Sequence, residues 1–165
     1  MAIEIERKFL VADGAWRSGV VRSLRIRQAY LRADAKASIR VRIYDDNRAM
    51  LTVKTSRADL RRNEFEYELP VIEAEMMLSL RQGHVIDKVR HHVPFEGLTW
   101  EVDVFEGDNA GLCVAEVELA AVDQAVPLPP WVGQEVTGQA QYYNGALSQL
   151  PFACWTADMQ ALAAG

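Results

Sequence analysis

Histidine and cysteine are scarce in this chain, with three histidines and two cysteines in 165 residues. Cys113, inside an apolar run, and Cys154, near the C-terminus, lack the paired spacing of a zinc site and read as reduced, structural thiols. His91 and His92 are adjacent, so on a strand they point to opposite faces and cannot share one ion; with His84 they read as structural or surface groups. No apolar run approaches the roughly 20 residues of a membrane span. The N-terminus is acidic where a secretory leader is basic and then apolar, so a cytoplasmic protein without membrane association is expected. The chain lacks a Gly-rich phosphate loop ending in Lys-Ser/Thr and a dinucleotide fingerprint. It also lacks an internal repeat and a low-complexity linker. A net charge of −5 disfavours a nucleic-acid partner, although net charge says nothing about how charges are segregated.

What the chain does have is charge at alternate positions. Glu4, Glu6 and Lys8 share one face of a first strand, because alternate strand residues point the same way. The same spacing recurs in Arg25/Arg27, Arg40/Arg42, Thr52/Lys54, Glu64/Glu66/Glu68, Lys88/Arg90, Glu101/Asp103 and Glu116/Glu118. Periodicity predicts eight strands, near 3–11, 23–32, 38–45, 49–55, 63–70, 85–95, 98–105 and 113–120. Short turns around Ala33–Lys36, Asp45–Arg48 and Pro94–Gly97 predict antiparallel hairpins. One helix is predicted from Val71 to Arg81, stopped by Gly83, with Ile72, Met76, Met77 and Leu80 on its buried face. Further helices are predicted near 133–149 and 155–163, packing across the outside of the sheet. Residues 1–165 read as one domain, with those C-terminal helices beginning from about 127. Trp16, Trp100, Trp131 and Trp155 read as core or docking anchors.

The face opposite each charged row is apolar: Ile3/Ile5, Leu24/Ile26, Ile39/Val41/Ile43, Leu51/Val53, Phe65/Tyr67, Val102/Val104 and Val117/Leu119. For one strand this is the ordinary pattern of a solvated sheet face. Across eight strands the charges are segregated, nearly every strand being wholly acidic or wholly basic. Eight strands can close into a barrel wide enough for side chains or one small ligand. The expected fold is therefore α+β and mainly β: a closed eight-stranded antiparallel β-barrel with a charged interior and helices packed outside. Burying ions costs several kcal/mol each unless they are paired or wet. Either dense salt bridges or a complex of divalent cation and polyphosphate must fill the interior, with carboxylates on the metal and guanidinium groups on phosphate oxygens.

Together Glu4-x-Glu6-x-Lys8, Arg40-Val41-Arg42, Glu64-Phe65-Glu66, Lys88-Val89-Arg90, Trp100–Asp103 and Ala115–Glu118 resemble the CYTH superfamily, the triphosphate tunnel metalloenzymes, from residue 3 to about residue 152. Glu135–Gly138 followed by Tyr142-Tyr143-Asn144 is similar to the bacterial inorganic-triphosphatase branch. The resemblance implies an eight-stranded tunnel, a triphosphate substrate and dependence on Mg²⁺ or Mn²⁺. It assigns Glu4, Glu6, Glu116 and Glu118 to the metal. It assigns Lys8, Arg25, Arg27, Arg40, Arg42, Lys54, Lys88 and Arg90 to phosphate oxygens. Glu64, Glu66, Glu101 and Asp103 would orient those bases or position the attacking water, and Lys8 and Lys54 join Glu64, Glu66 and Asp103 as catalytic groups. Two positions depart from the family pattern, Ser56 and Gln141, where a basic residue is expected.

The leading functional expectation is hydrolysis of inorganic tripolyphosphate to pyrophosphate and phosphate by water attack on the terminal phosphate. Class IV adenylate cyclisation and thiamine or nucleoside triphosphate hydrolysis are the alternatives within the enzyme class. A noncatalytic polyphosphate-binding barrel is the alternative outside it. The partner is a small-molecule triphosphate, and apolar outer rows left uncovered by helices would favour a homodimer.

Overall fold

The computed structural model describes residues 5–34, 37–55 and 64–164. Its strands are β1 (Ile5–Val11), β2 (Arg22–Ala33), β3 (Ala37–Tyr44), β4 (Arg48–Thr55), β5 (Glu64–Leu69), β6 (Gln82–Phe95), β7 (Leu98–Glu106), β8 (Cys113–Leu119) and β9 (Val132–Glu135). Three α-helices accompany them: α1 (Val71–Leu78), α2 (Asn144–Gln149) and α3 (Ala157–Ala163). Every pairing is antiparallel, and the strands form one sheet in the order β5-β4-β3-β2-β6-β7-β8-β1-β9. The β3–β4 and β6–β7 hairpins turn through Asp45-Asp46 (φ 48° and 55°) and Glu96-Gly97 (φ 44° and 81°). Two successive positive φ angles give the turn a twist that matches the flanking strands.

All eight expected strands form, and β9 is an addition where a helix was expected. Its residues Gln134 and Glu135 suit a helix, yet β1 offers an unpaired edge. Ala12 N donates to Trp131 O, Val136 N donates to Lys8 O, and Arg7 forks onto Glu135. Gly133 permits the approach, since a Cβ there would lie 3.2 Å from the Leu10 carbonyl oxygen.

The sheet is open, not the closed eight-stranded barrel expected. β5 and β9 are its two ends, with no pairing between them among the described residues. β9 takes part of the β1 edge that closure would need. The sheet nevertheless curls, so that Glu6 and Lys8 of β1 line the same cavity as Glu64 and Glu66 of β5.

Directly paired residues of an antiparallel ladder share a face. The register therefore puts Lys8, Glu116, Glu101 and His92 in one row across the concave face, and Glu66, Thr52, Arg40 and Tyr30 in another. Further along the same face the residues become apolar. Leu10, Ile86, Phe105 and Val114 pack there against Val136, Tyr142, Leu147, Phe152, Trp155 and Ala163. Thus α2 and α3 plug one end of the concave face and do not lie outside the sheet. The alternation of charge does not run the length of each strand, and the apolar ends require a cover.

The convex face carries the other cores. Phe9, Val102, Ala115 and Val117 are sealed by Trp16 and Trp131, with Trp100 edge-on to Trp131 at 5.7 Å. All four tryptophans are buried, as anchors should be. Helix α1 covers Ala29, Val41, Ile43 and Ala49 with Ala74 and Leu78, helped by Val71 and Met77. Ile72, Met76 and Leu80, expected to be buried, are 70%, 68% and 71% exposed. The face that packs is the one carrying Ala74 and Leu78, whose neighbour Glu75 pairs with Arg27 of β2, and small Ala74 lets the helix sit close to the sheet. The helix also ends at Leu78, before the expected stop. Gly83 (φ 73°) lies instead in β6, where the register shifts: Gln82 pairs with Tyr30 and Ile86 with Gln28, so β6 uses more residues than β2 over the same stretch.

Candidate active site

The charged half of the concave face encloses a cavity of about 520 Å³. Strands β3, β4 and β5 build one wall. Arg40 and Arg42 project into it from β3, Thr52 and Lys54 from β4, and Glu64 and Glu66 from β5. Lys54 Nζ lies 3.2 Å from Glu64 Oε1, and Thr52 Oγ1 accepts from Arg40 and donates to Glu66 Oε1. Arg42 Nε donates to Gln28 Oε1 at 2.7 Å and its Nη1 to the Tyr44 hydroxyl. Among the described residues neither Arg40 nor Arg42 has a carboxylate partner, and Arg40 Nε is buried without an acceptor. Burial, and then neighbouring Arg42, pull the Arg40 guanidinium below its ordinary pKa. This wall therefore holds two adjacent guanidinium groups that make no direct ion pair among the described residues, although Glu64 and Glu66 share the wall with them.

Strands β1, β6, β7 and β8 build the opposite wall, and here the charges are paired. Lys8 Nζ bonds Glu116 Oε1 at 2.7 Å and lies 4.5 Å above the Tyr143 ring. Arg90 bridges Asp103, Glu116 and Glu101. His92 Nε2 lies 3.3 Å from Glu101 Oε1. A second cavity of about 90 Å³ lies between Glu6, Arg90, Glu101, Glu116 and Glu118. Burial and Asp103 would raise the Glu116 pKa, but Lys88, Lys8 and Arg90 prevail and hold it below the ordinary carboxylate value. No three described acidic or imidazole side chains converge on one point; the carboxylates are spread by the cations between them.

Such a pairing of basic and acidic walls can be compared with known proteins. The CYTH domain model matches residues 2–150. The inorganic triphosphatase of Acetivibrio thermocellus is 42% identical over 153 residues, covering 92% of this chain and 97% of that protein. The chain belongs to the CYTH domain family. The inorganic triphosphatase of Nitrosomonas europaea is 35% identical over 148 residues, covering 88% and 96% of the two chains. The crystal structure of the inorganic triphosphatase NE1496 superimposes with a TM-score of 0.71 at 34% identity, covering 90% of this chain and 95% of that one.

This CYTH domain brings together Glu6, Lys8, Arg40, Arg42, Lys54, Glu64, Glu66, Arg90 and Glu116 around the larger cavity, with Glu101 and Glu118 at the smaller one. Arg25 and Arg27 do not join them. Both lie on the convex face, Arg25 on Asp87 at 3.0 Å and Arg27 on Asp46 and Glu75. The β2 residues that turn inward are Leu24, Ile26, Gln28 and Tyr30, the parity opposite to that expected. Lys88 and Asp103 lie beneath the surface, 0% and 1% exposed, and do not line the cavity. Glu68 lies away from the cavity on the exposed β5. Glu4 and Ser56 fall outside the described residues. Gln141 bonds Gln139 and does not reach the cavity.

Several residues in or beside the cavity were not singled out from the sequence: Gln28, Tyr30, Ser38 and Gly145; Tyr143 and Asn144, which carried part of the family resemblance without a site role, also line it. Polar Gln28 and Tyr30 have the same parity as Leu24 and Ile26, which was the available signal on β2. His92, read as structural or surface, shares the inner row with Glu101.

Proposed function

We propose that this chain is a divalent-metal-dependent inorganic triphosphatase that cleaves tripolyphosphate to pyrophosphate and phosphate. The observation that carries the reading is that one cavity is lined on one side by Arg40 and Arg42, which make no ion pair among the described residues, and on the other by a carboxylate-rich wall. A short polyanion carrying a divalent cation is complementary to both walls at once. A plain salt-bridge core would not leave two adjacent guanidinium groups facing open space. The names of the relatives support the same reaction.

The donor set fits a hard cation, since Glu6, Glu116 and Glu118 offer oxygen and no sulfur beside a small cavity. With Glu4 they are the proposed holders of Mg²⁺ or Mn²⁺. When bound, the ion would neutralise phosphate charge. Lys88, Lys8 and Arg90 hold the Glu116 carboxyl below its ordinary pKa, as that role requires. Arg40 and Arg42 would bind phosphate oxygens as planar forks, with Lys54 as a point charge. Placed there before the reaction, these cations stabilise charge that shifts onto the leaving pyrophosphate, usually the dominant contribution to phosphoryl transfer. Glu64 and Glu66 contact Lys54 and Thr52 and would, on this reading, orient the attacking water molecule. Oxygen of that water bonds to the terminal phosphorus as the bridging P–O bond breaks. We further read the curled sheet as the wall of a tunnel whose free edges draw together around substrate.

The Tyr143 ring is already covered by Lys8, which argues against its serving as a stacking platform for a base. Phosphate release from tripolyphosphate, ATP and thiamine triphosphate, each with Mg²⁺ or Mn²⁺ and with cyclic AMP assayed in the ATP sample, tests the reading. Strong preference for tripolyphosphate is the expected result. Cyclic AMP without free phosphate would make the protein a cyclase, and tight tripolyphosphate binding without turnover would make it a binding protein.

A further inference from the structure

Lys88 is the one lysine of the described concave face that is completely buried, and its surroundings are unlike those of a phosphate ligand. Its ladder partners are Ile26 and Phe105, and its ammonium lies 5.3 Å from the Phe105 ring centroid. Nζ bonds Asp103 Oδ2 at 2.5 Å and reaches Asn144 Oδ1 at 3.4 Å. Asp103 in turn uses both oxygens on Arg90, with Oδ1 accepting from Nε at 2.7 Å and Oδ2 from Nη2 at 2.8 Å. The outer edge of the same guanidinium meets Glu116 at 3.0 Å and Glu101. Three cations, Lys8, Lys88 and Arg90, thus balance three anions, Asp103, Glu101 and Glu116.

Each member of this chain constrains the next. A guanidinium is planar and rigid, so gripping one edge fixes where the other edge points. Without Lys88 the Asp103 carboxylate would be neutralised by Arg90 alone, and Arg90 would have less charge to share with Glu101 and Glu116. Without Asp103, Lys88 and Arg90 would repel each other and the fork would lose its anchor.

We propose that Lys88 and Asp103 are positioning residues that act through Arg90: they set the spacing of Glu101 and Glu116 and so tune the carboxylate wall for its cation, and Lys88 does not touch substrate. The inference rests on the reading that this wall holds the divalent ion.

Calorimetric titration with Mn²⁺ alone, and separately with tripolyphosphate in the absence of metal, tests it on the full chain. Lys88→Met should weaken Mn²⁺ binding by about tenfold or more, the usual cost of losing a group behind the metal ligands, while metal-free tripolyphosphate binding stays at the wild-type value. The reverse pattern, with tripolyphosphate binding lost and Mn²⁺ binding intact, would make Lys88 a phosphate ligand and overturn the proposal. Asp103→Asn should behave as Lys88→Met does. Should it fail to fold, the double variant Lys88→Met/Asp103→Leu replaces the buried pair by apolar side chains, a change that need not cost stability. That variant should fold and still bind Mn²⁺ weakly, and wild-type Mn²⁺ affinity in any folded variant overturns the proposal. Glu6→Gln separates the two levels. If it loses Mn²⁺ binding while Lys88→Met does not, only the positioning role falls; if neither loses it, the metal assignment falls as well.

Discussion

Arg40 and Arg42 stand two residues apart on the inner face of β3, and neither meets a carboxylate among the described residues. Two like charges are held side by side where burial already disfavours one of them. Such an arrangement is a cost to the empty protein that an anionic ligand would remove. Arg40→Met should therefore melt at or above the wild-type temperature while binding tripolyphosphate about 10- to 100-fold more weakly, the loss expected for charge-assisted hydrogen bonds. Thermal melts with and without tripolyphosphate check both halves, because a ligand that binds only the folded state raises its melting temperature. A variant that melts lower and binds normally would make Arg40 structural.

Arg25 and Arg27 supply the contrast. Their partners Asp87, Asp46 and Glu75 all lie on the convex side, and exposed ion pairs contribute about 0–1 kcal/mol. Arg25→Ala and Arg27→Ala should keep the wild-type kcat/KM for tripolyphosphate, with a modest loss of stability for Arg27→Ala because it also releases α1. A large rise in KM for either variant would restore these arginines to the site.

Their misplacement shows what charge alternation can and cannot reveal. The two-residue period located all eight principal strands, because sheets with distinct faces impose it on sequence. It could not say which face was concave. On β2 the charged parity is convex, and Ile26 and Gln28 are buried on the inner side beside Lys88 and Ile86. The apolar ends of the inner face were illegible for a related reason: Leu10, Ile86, Phe105 and Val114 belong to charged-parity rows, and only the docked C-terminal segment explains them. The residues 133–149 were read by local propensity as a helix, whereas the free edge of β1 decides the conformation of Val132–Glu135. Most of the cavity was legible nonetheless, since Glu6, Lys8, Arg40, Arg42, Lys54, Glu64, Glu66, Arg90 and Glu116 all reach it.

Glu6, on the β1 side of the site, lines both cavities. Glu6→Gln is close to isosteric and removes only charge. It should abolish turnover at limiting Mg²⁺ or Mn²⁺ and leave the far-ultraviolet circular dichroism unchanged. Wild-type turnover at limiting metal in this variant would remove Glu6 from the metal site.

Acid stability should report the buried ion network directly. Burial opposes ionisation of Asp103, yet Lys88 and Arg90 hold its pKa far below the ordinary carboxylate range; Glu116 and Glu135 are also lowered. Over the interval between native and ordinary values the unfolded chain binds more protons than the folded one, so stability rises with pH there. The stabilisation is complete above the ordinary carboxylate pKa of about 4 and is lost as pH falls below it. Denaturant unfolding of the metal-free protein between neutral and strongly acidic pH should show this fall. Asp103→Asn should lose about 3–5 kcal/mol at neutral pH, the cost of stranding buried partner charges, and show a shallower acid limb. An acid limb as steep as that of the wild type would assign the effect to other carboxylates.

Gly83 is the backbone joint between the sheet and the segment that reaches the cavity. Its φ of 73° places it in the left-handed region, and a Cβ there would lie 2.2 Å from the Ser148 carbonyl oxygen of α2. That oxygen is backbone and cannot swing aside, so any side chain must displace α2 or β6. Helix α2 follows Tyr143 and begins with Asn144 and Gly145, all three at the cavity, and Asn144 Oδ1 accepts from Lys88. Gly83→Ala should therefore destabilise the protein by about 1–3 kcal/mol, the range for a residue forced into a sparsely populated backbone region. It should also raise KM for tripolyphosphate, although residue 83 itself lies outside the cavity. Leu147→Ala provides the control. It removes the fully buried side chain that anchors α2 in the cluster with Ile86, Phe105 and Val114 and should cost about 2–5 kcal/mol. If loosening α2 is what weakens substrate binding, both variants raise KM; if Leu147→Ala lowers stability alone, the Gly83 effect travels through β6 instead.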